Sequence, residues 1–395
     1  MKTVNDFNFK GKKALIRVDF NVPLNENLEV TDTSRIEAAK ATIIKILEDG
    51  GSCVLMSHLG RPKENEAKFS LKNIVESVRD IMGVNVHFAG DCIGEMASEA
   101  VANCDPGEIL LLENLRYHSE EVAGDRDFAE KLSKLGDIYV NDAFGTAHRA
   151  HASTAVIADF FPGQKCFGLL LASEIENINK VLGNSTRPVT AIIGGAKVSS
   201  KITIIENILE KIDHLIIGGG MAFTFVKAQG GKIGNSLVEN DKLDLALDIL
   251  KQAKAKGVDV HLPIDSVVAD AFSEKANTKV EPIDAISDGW MGLDAGPATN
   301  AHFAAVVLGS KTILWNGPVG VFELSKFSNG TIALGQAITK ATAEGCFSLV
   351  GGGDSAAAVT QFGCSDNVSY VSAGCGSIPQ MLERNILTGI QAITS

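Results

Sequence analysis

The chain has 395 residues, more than one hydrophobic core normally supports, and its 45% hydrophobic and 21% charged residues exclude a disordered chain. No apolar run approaches the roughly 18 residues that cross a bilayer. The net charge of −12, without a run rich in lysine and arginine, argues against nucleic acid or an anionic membrane as the main partner. We therefore predict two domains that act on small molecules.

The N-terminal segment and the cysteines both indicate a cytoplasmic protein. Residues 1–20 contain lysines but no continuous apolar stretch of the kind that a secretory signal needs. The seven cysteines are scattered, odd in number and never in a Cys-x-x-Cys pair, so they indicate neither a disulfide framework nor a zinc site. We interpret them as small buried side chains.

Short β-branched runs alternate with helical patterns along the whole chain, which predicts an α/β fold built from parallel sheets. Strands are expected near 14–18, 52–57, 108–112, 137–140, 189–193, 213–217, 259–262, 311–315 and 346–350. Apolar residues at helical spacing predict a helix over 34–48 and a linker helix over about 165–186. Ligands of such folds bind just beyond the carboxyl ends of the strands.

The residues after the first two predicted strands are polar in a way that suits a ligand. The segment RVDFNVP places Asp19 and Asn21 on one side of an extended chain while Phe20 points away. This pair could bind a hydroxyl group, or it could form an Asx-turn that closes the strand. The second strand ends in SHLGRP, which brings His58 and Arg61 to the same edge of the sheet.

Eight of the nine arginines lie in the first 187 residues. Arg116 and Arg149 follow the third and fourth predicted strands, and Arg35 begins the first helix, where the helix dipole favours anions. Any one of these is usually a solvated surface residue, but repetition at successive strand ends predicts that they converge with Arg61. Their mutual repulsion would then require a ligand with several negative charges, such as a phosphorylated carboxylate.

Catalysis by a protein nucleophile has no support in this half of the chain. His58 is interpreted as a ligand group, whereas His148 and His151 are as consistent with structural roles. The sequence contains no evident Ser/His/Asp or Cys/His arrangement.

The second half is rich in glycine where the first is rich in arginine, with triple glycines at 218–220 and 351–353. The segment GGAKVSSK predicts that Lys197 and Lys201 lie one turn apart on one face at the start of a helix. Such lysines repel each other unless an anion sits between them, so they indicate a phosphate site. Two solvated lysines are the alternative.

The last triple glycine opens the segment GGGDSAAAV, whose backbone N–H groups could bind phosphate while Asp354 holds Mg²⁺. A glycine-rich turn could equally belong to a dinucleotide-binding protein. Neither triple glycine continues as GxGxxG, and no GxxxxGK[ST] occurs, which argues against both standard fingerprints. The segment WNGPVGVFE adds Asn316 and Glu323, and the latter could accept ribose hydroxyls.

Eight motifs in chain order resemble phosphoglycerate kinases: RVDFNVP, SHLGRP, LLENLRYH, NDAFGTAHRAH, GGAKVSSK, GGGMAF, WNGPVGVFE and GGGDS. The resemblance implies two similar-sized domains, each a parallel sheet flanked by helices in a Rossmann-like arrangement. Residues 1–167 would bind 3-phosphoglycerate, with the tail 380–395 packing back onto them. Residues 168–187 would form the linker helix and hinge, and residues 188–379 would bind Mg-ATP or Mg-ADP.

The resemblance also implies roles for individual residues. Those expected to bind the glycerate are Asp19, Phe20, Asn21, Arg35, His58, Leu59, Gly60, Arg61, Arg116 and Arg149. Those expected to bind nucleotide are Lys197, Lys201, Gly219, Gly292, Asn316, Pro318, Glu323, Gly352, Gly353, Asp354 and Ser355. Arg35, Lys197 and Lys201 would be catalytic, Asp354 would bind the metal, and the enzyme would be a monomer. A general base is unnecessary because the attacking carboxylate is already ionised.

One segment departs from the family pattern. Where the family usually reads Ser-Thr-Gly-Gly-Gly-Ala-Ser, residues 372–377 read Ser-Ala-Gly-Cys-Gly-Ser, whereas Ser355 replaces a threonine but keeps its hydroxyl. The altered segment leaves open a relative with attenuated transfer, or a metabolite-binding or scaffolding protein that has lost transfer. The glycine turns also leave open a nicotinamide-dependent dehydrogenase.

Restoring the family pattern with A373T and C375G is expected to raise kcat, because the threonine hydroxyl and the glycine backbone would return to the phosphate site and the adjacent hinge. Steady-state assays of the double variant against the unmodified chain measure this. An unchanged kcat would contradict the hypothesis that the segment attenuates transfer.

Overall fold

The computed structural model describes residues 1–372, 374, 381 and 387–395. Internal contacts divide the chain into two compact units, Met1–Glu176 with Arg384–Ser395, and Asn177–Glu383. The division falls inside the predicted linker, and the predicted bounds at 167 and 188 stay predictions. Ala373 and Cys375, on which the attenuation hypothesis rests, lie outside the described residues.

The first unit is built on a sheet of six parallel strands. The strands are β1 Lys13–Arg17, β2 Ser52–Met56, β3 Val86–Phe88, β4 Ile109–Leu111, β5 Ile138–Asn141 and β6 Lys165–Phe167, in the order β3-β4-β2-β1-β5-β6. The central strands are buried along nearly their whole length, as expected of a sheet covered on both faces. The four strands predicted here are confirmed to within about one residue, whereas β3 and β6 were not predicted.

The first six helices of the chain belong wholly or in part to the first unit, and the last of these six extends past Glu176 into the second. They are α1 Ser34–Glu48, α2 Val75–Met82, α3 Gly94–Ala102, α4 Ser119–Ala123, α5 Arg126–Ser133 and α6 Leu169–Leu182. The bounds predicted for α1 are confirmed, because its apolar residues recur at the helical period and are buried. The predicted linker helix corresponds to α6, which is shorter than expected at both ends.

The second unit contains a second sheet of six parallel strands and two smaller sheets. Its strands are β7 Val189–Ile193, β8 His214–Ile217, β9 Lys232–Ile233, β10 Asp259–His261, β11 Asp265–Ala269, β12 Thr278–Pro282, β13 Ala285–Ile286, β14 Met291–Ala295, β15 Thr312–Asn316, β16 Phe347–Val350 and β17 Tyr370–Val371. The main sheet has the order β10-β8-β7-β15-β16-β17, and its five predicted strands are confirmed. Strands β12-β11-β14 form an antiparallel sheet that was not predicted.

Seven further helices complete the described chain. They are α7 Ile202–Ile208, α8 Ala222–Ala228, α9 Leu243–Ala255, α10 Pro297–Leu308, α11 Asn329–Ala343, α12 Gly353–Gln361 and α13 Thr388–Thr394. The last belongs to the first unit, where Gly389 N donates to Ala147 O at 2.7 Å and Lys165 Nζ donates to Ala392 O at 2.8 Å. No helix in the described ranges has the length and apolarity needed to cross a bilayer.

The described cysteines are small, largely buried side chains, as the sequence predicted. Five are buried: Cys53, Cys92, Cys104, Cys166 and Cys346. Cys364 is half-buried, and no disulfide joins any of these six.

The start of α6 is stabilised by a buried carboxylate from the end of β5. Leu171 N donates to Asp142 Oδ1 at 3.1 Å, and a Cβ at Gly168 would lie only 2.1 Å from that oxygen. Glycine at 168 therefore lets the carboxylate reach the helix N-terminus, where its charge is favoured. Burial nevertheless raises the pKa of Asp142 to about 7, against the hydrogen bonds that lower it.

Replacing Asp142 by asparagine is expected to flatten the dependence of stability on pH. The folded carboxyl holds its proton up to about pH 7, whereas its reference value is 3.8, so stability falls as pH rises between these values. The D142N variant has no such proton to lose. Urea unfolding across this range should give a smaller loss of unfolding free energy for D142N, and parallel curves for the two proteins would contradict the assignment.

Candidate functional site

The carboxyl edge of the first sheet gathers the polar residues predicted there. Strands β4, β2, β1 and β5 are consecutive neighbours, so the segments that follow them begin side by side. Arg35 Nη1 lies 2.6 Å from Asp19 Oδ2, and His58 Nδ1 lies 3.8 Å from Asp19 Oδ1. Asn21 Oδ1 accepts a hydrogen bond from Gly60 N at 2.7 Å, which ties the first loop to the second.

The arginines come together at this edge. Arg116 Nη1 donates to Gly60 O at 2.6 Å, which directs its guanidinium over the second loop. Burial, and after it the positive charges of Arg149, Arg17 and Arg61, lower the pKa of Arg116 to about 10. We call Arg17, Arg35, Arg61, Arg116 and Arg149 the basic cluster. The predicted convergence of four arginines is thus met by the structure, with Arg17 as a fifth member.

Arg17 is the member of the basic cluster that the sequence analysis did not predict. It is fully buried at the end of β1, where Nε donates to Ser153 Oγ at 2.9 Å and Nη2 lies 3.2 Å from His58 Nδ1. Ser153 in turn donates to the buried Glu121, through Oγ to Oε1 at 2.6 Å and through N to Oε2 at 2.9 Å.

Two histidines are held neutral by the basic cluster. Burial first, and then the charges of Arg17 and Arg116, lower the pKa of His58 well below its usual value. The same causes in the same order lower the pKa of His151 to about 4. Both imidazoles therefore stay uncharged near neutral pH, so the positive charge of the site comes from guanidinium groups alone.

Two residues expected to bind the glycerate have side chains in the core instead. Phe20 is fully buried and its N–H already donates to Ser57 Oγ at 2.9 Å. Leu59 is 3% exposed and its carbonyl accepts from Asn114 Nδ2 at 2.8 Å. Both side chains belong to the apolar core of the first unit, so at these two positions only main-chain groups could contribute to a ligand site.

A cavity of about 470 Å³ lies at the carboxyl edge of the second sheet. Five residues predicted to bind nucleotide line it: Gly219, Gly292, Pro318, Glu323 and Asp354. Asp354 lies in the first turn of α12, and both it and Glu323 are exposed. The cavity lining thus contains two exposed carboxylates in addition to Asp265 and Asp294, and Asp354 lies in the first turn of a helix whose N-terminus favours anions.

The opposite wall of the cavity is apolar and was not predicted. It is formed by Phe223 from α8, by Leu237 and Ile283 from loops, and by Met291 from β14. Phe223 and Ile283 also belong to a buried apolar cluster, whose packing holds these two side chains in place. A flat aromatic ligand would bury its face here, and the exposed Leu237, at 49%, would lose solvent contact.

Lys197 and Lys201 do not share a helix face, so that prediction is wrong. Lys197 is extended and precedes a 3₁₀ turn over Val198–Ser200, and α7 begins only at Ile202. Lys201 Nζ instead donates to Asn316 Oδ1, across neighbouring strands of the sheet. Within the 3₁₀ turn, Ser200 Oγ donates to Lys197 O at 2.8 Å, a local bond that competes with a regular helix start, whereas Ser199 Oγ donates to Glu239 Oε1.

Asn316 presents an unused donor toward the last glycine loop. Its Nδ2 is buried and has no hydrogen-bond partner in the part of the chain that the structure describes. A Cβ at Gly352 would lie 3.1 Å from this nitrogen, and Gly352 has a φ of 89°, which favours glycine. An unsatisfied donor beside a helix N-terminus is suited to an oxygen atom of an anionic ligand.

The loops after β7 and β15 touch through their backbones. Gly194 N donates to Asn316 O at 2.9 Å, and a Cβ at Gly194 would lie 2.1 Å from Pro318 O. Ser355 Oγ accepts from Gly317 N at 2.6 Å, so the hydroxyl at 355 supports this loop rather than facing the cavity. Glycines of the second half thus allow the backbones of two neighbouring loops to come into contact.

Comparison with known proteins agrees with this arrangement. A profile described as phosphoglycerate kinase matches residues 4–385. The chain belongs to the phosphoglycerate kinase family. It is therefore a phosphotransferase, as the resemblance implied, and the dehydrogenase alternative is set aside.

Individual members of the phosphoglycerate kinase family match along nearly their whole length. A phosphoglycerate kinase of Porphyromonas gingivalis is 52% identical and covers 99% of each chain. A cytosolic phosphoglycerate kinase of Nicotiana tabacum is 46% identical and covers 99% of this chain and 97% of its own. The solved phosphoglycerate kinase of Coxiella burnetii is 40% identical, with a TM-score of 0.90, and covers 99% of this chain and 98% of its own.

Replacing Gly194 by alanine is expected to lower the unfolding free energy by about 1–3 kcal/mol, because the added methyl group would overlap a backbone carbonyl that cannot rotate away. Gly309→Ala is the matched control, since a Cβ there would meet its nearest atom at an ordinary 3.5 Å. Urea unfolding measures both variants. Equal stability of the two would contradict the close approach of the loops.

Proposed function

We propose that the chain transfers a phosphoryl group reversibly between ATP and the carboxylate of 3-phosphoglycerate, a reaction of glycolysis and gluconeogenesis. In the other direction, 1,3-bisphosphoglycerate and ADP give 3-phosphoglycerate and ATP. The observation that carries this proposal is the basic cluster, because an excess of positive charge at one sheet edge needs an anion bearing more than one charge. Membership of the phosphoglycerate kinase family identifies that anion.

The proposed acceptor site is the carboxyl edge of the first sheet. Arg61, Arg116 and Arg149 would bind the phosphate of 3-phosphoglycerate, since guanidinium groups match phosphate oxygens in pairs. Asp19 and Asn21 would bind the hydroxyl, and the main-chain groups of Gly60 complete the site. Arg35, 32% exposed and paired with Asp19, would stabilise the charge that develops on the transferring group.

The proposed nucleotide site is the cavity of the second unit. The base would lie against the apolar wall, with Gly219, Gly292 and Pro318 beneath it and Glu323 accepting the ribose hydroxyls. The phosphates would extend toward the start of α12, where backbone N–H groups of Gly352 and Gly353 point outward. Lys197, Lys201 and the Asn316 amide would bind their oxygens.

The reaction needs no base from the protein. A carboxylate oxygen of 3-phosphoglycerate attacks the γ-phosphorus of ATP, and the bond from that phosphorus to the β-phosphate oxygen breaks, so the electron pair leaves with ADP. The attacking oxygen is already ionised, which agrees with histidines held neutral and with arginines as the cations of the acceptor site. Catalysis then consists of aligning the two anions and neutralising charge, for which Arg35, Lys197 and Lys201 are the proposed catalytic residues.

Asp354 is the residue proposed to hold Mg²⁺. It lines the cavity with an exposed carboxylate in the first turn of α12, and one carboxylate together with nucleotide phosphates is a usual way to bind this ion. The ion, when bound, would neutralise charge on the phosphates. The donor set of this chain therefore fits magnesium.

Transfer between ligands held by different units requires that the two sites meet, and we propose hinge closure around residues 168–187 for this step. Closure would also exclude water, which would otherwise hydrolyse the acyl phosphate. A monomeric protein of the cytoplasm, without nucleic acid or membrane partners, completes the proposal. The relative from Nicotiana tabacum, named as cytosolic, supports its location.

Single alanine substitutions at Arg35 and Lys201 are expected to lower the rate of ATP-dependent 3-phosphoglycerate phosphorylation by about 10²–10³, the scale for removing one preorganised charge contact. A coupled assay that follows ADP release measures this. Matched controls are R79A, which removes an exposed arginine paired with Glu76, and K251A on the exposed face of α9.

The controls should retain the rate of the unmodified chain, and all four variants should keep its circular dichroism spectrum. A folded chain that consumes no ATP with 3-phosphoglycerate would contradict the proposed activity. An active chain in which R35A or K201A has no effect would instead contradict the role of that residue.

A further inference from the structure

Three of the eight histidines form a linked row in the second unit, and none of the three lines the cavity proposed to bind nucleotide. His214 begins β8, His261 ends β10, and His302 lies in α10. His261 Nε2 is 3.2 Å from His214 Nδ1, and His261 Nδ1 is 3.1 Å from His302 Nε2. The proposed phosphoryl transfer uses none of these imidazoles, so the row needs an explanation of its own.

A carboxylate stands beside the first pair of rings. Asp259 is the register partner of His214 and lies two residues before His261, so its side chain leaves the same face of strand β10 as that histidine. Its Oδ2 is 3.9 Å from His214 Nδ1, and the side chain is 78% exposed. It is therefore able to rotate toward the gap between the rings without disturbing the core.

We propose that His214, Asp259 and His261 form a binding site for a divalent transition-metal ion such as Zn²⁺, with His302 holding His261 in its ligating orientation. His261 Nε2 and His214 Nδ1 are 3.2 Å apart. Two nitrogen ligands of a tetrahedral zinc ion, each bonded at about 2.0–2.1 Å, lie about 3.3 Å from each other. Water would fill the remaining position.

The three histidines can place their ring protons so that a metal ion fits between His214 Nδ1 and His261 Nε2. If His214 Nδ1 and His261 Nε2 both turn lone pairs to the ion, His261 Nδ1–H is left to donate to His302 Nε2. Histidine ligands usually donate their other N–H in this way, which fixes both tautomer and orientation. Burial, and then the neighbouring His302 and His214, lower the pKa of His261 to about 4, so its lone pair is available near neutral pH.

The ligand types distinguish this site from the magnesium site. Imidazole nitrogen suits zinc, copper and nickel, whereas magnesium prefers oxygen ligands. Bound between β8, β10 and, through His302, α10, the ion would join the edge strand of the sheet to two neighbouring elements. It would thus stabilise the folded second unit in proportion to its occupancy.

A second group of possible ligands in the described chain serves as the rival site. Ligand atoms of Asp91, Cys92 and His118 lie within 4.8 Å of one another. However, Asp91 Oδ1 already accepts from Cys92 N at 2.6 Å and lies 2.7 Å from His118 Nε2. Burial also raises the pKa of the Cys92 thiol, whereas metal binding requires the thiolate.

Calorimetric titration of Zn²⁺ alone into the full chain near neutral pH tests the proposal. We expect H261Q and H214Q each to weaken binding at the site by more than about tenfold, and H302Q, which removes only an outer partner, to weaken it by about tenfold. H87Q is the matched control, because His87 also stands beside a carboxylate, 3.1 Å from Glu108. H118Q tests the rival site. We expect H87Q and H118Q to bind Zn²⁺ as the unmodified chain does.

Zn²⁺ should also raise the unfolding temperature of the unmodified chain but not that of H261Q, and the visible absorption of Co²⁺ should show nitrogen ligation that H214Q removes. Because His214 is only half-buried, H214Q remains informative if H261Q does not fold. An isotherm that is the same with and without His261 and His214 overturns the proposal. So does one that H118Q alone abolishes.

Discussion

Repulsion among guanidinium groups is the constraint around which the first unit is organised. Parallel strands in the order β4-β2-β1-β5 bring four loops to one edge, and the arginines on those loops gather where burial weakens the screening of their charges. Asp19 offsets part of this charge at the surface, and Glu121 offsets part of it from within through Ser153. The proposed anionic ligand would compensate the remainder, so its binding would also stabilise the folded first unit.

The ligand proposed for the second unit is also an anion, but the residues of its site are of different types. Its sheet edge relies on glycines, on the N-terminus of α12 and on an apolar wall rather than on clustered charges. A nucleotide explains the difference, because it has a large aromatic face to bury and phosphates that backbone N–H groups can bind. The arginine-rich and glycine-rich halves of the chain thus correspond to two chemistries of anion recognition.

The sequence predicted the parallel sheets and the polar residues at their edges because both follow from local patterns. Buried parallel strands have nearly continuous apolar runs, and loops at strand ends must carry the ligand contacts. The antiparallel sheet escaped prediction because its strand Thr278–Pro282 is largely exposed and alternates weakly. The sheet lines the cavity through β11 and β14, which pair across more than twenty residues of chain, and no local pattern contains that pairing.

Two further errors have the same origin in tertiary context. The helix face assigned to Lys197 and Lys201 assumed that α7 starts at the glycines, whereas a 3₁₀ turn stands there, with Ser200 bonded within it and Ser199 bonded to the distant Glu239. Arg17 was passed over because an arginine in a strand offers no signal of its own, and its partners Ser153 and Glu121 are distant in sequence. The motifs did place their residues after the predicted strands, where the structure has them, while their roles stay predictions.

The backbone contact between Gly194 and Pro318 makes two loops from neighbouring strands mutually dependent. Any side chain introduced at one position requires the other loop to retreat, which would also shift the Gly317 amide from Ser355. Neither loop is free to diversify by itself. Related chains should therefore either keep Gly194 and Pro318 or have substitutions at both positions.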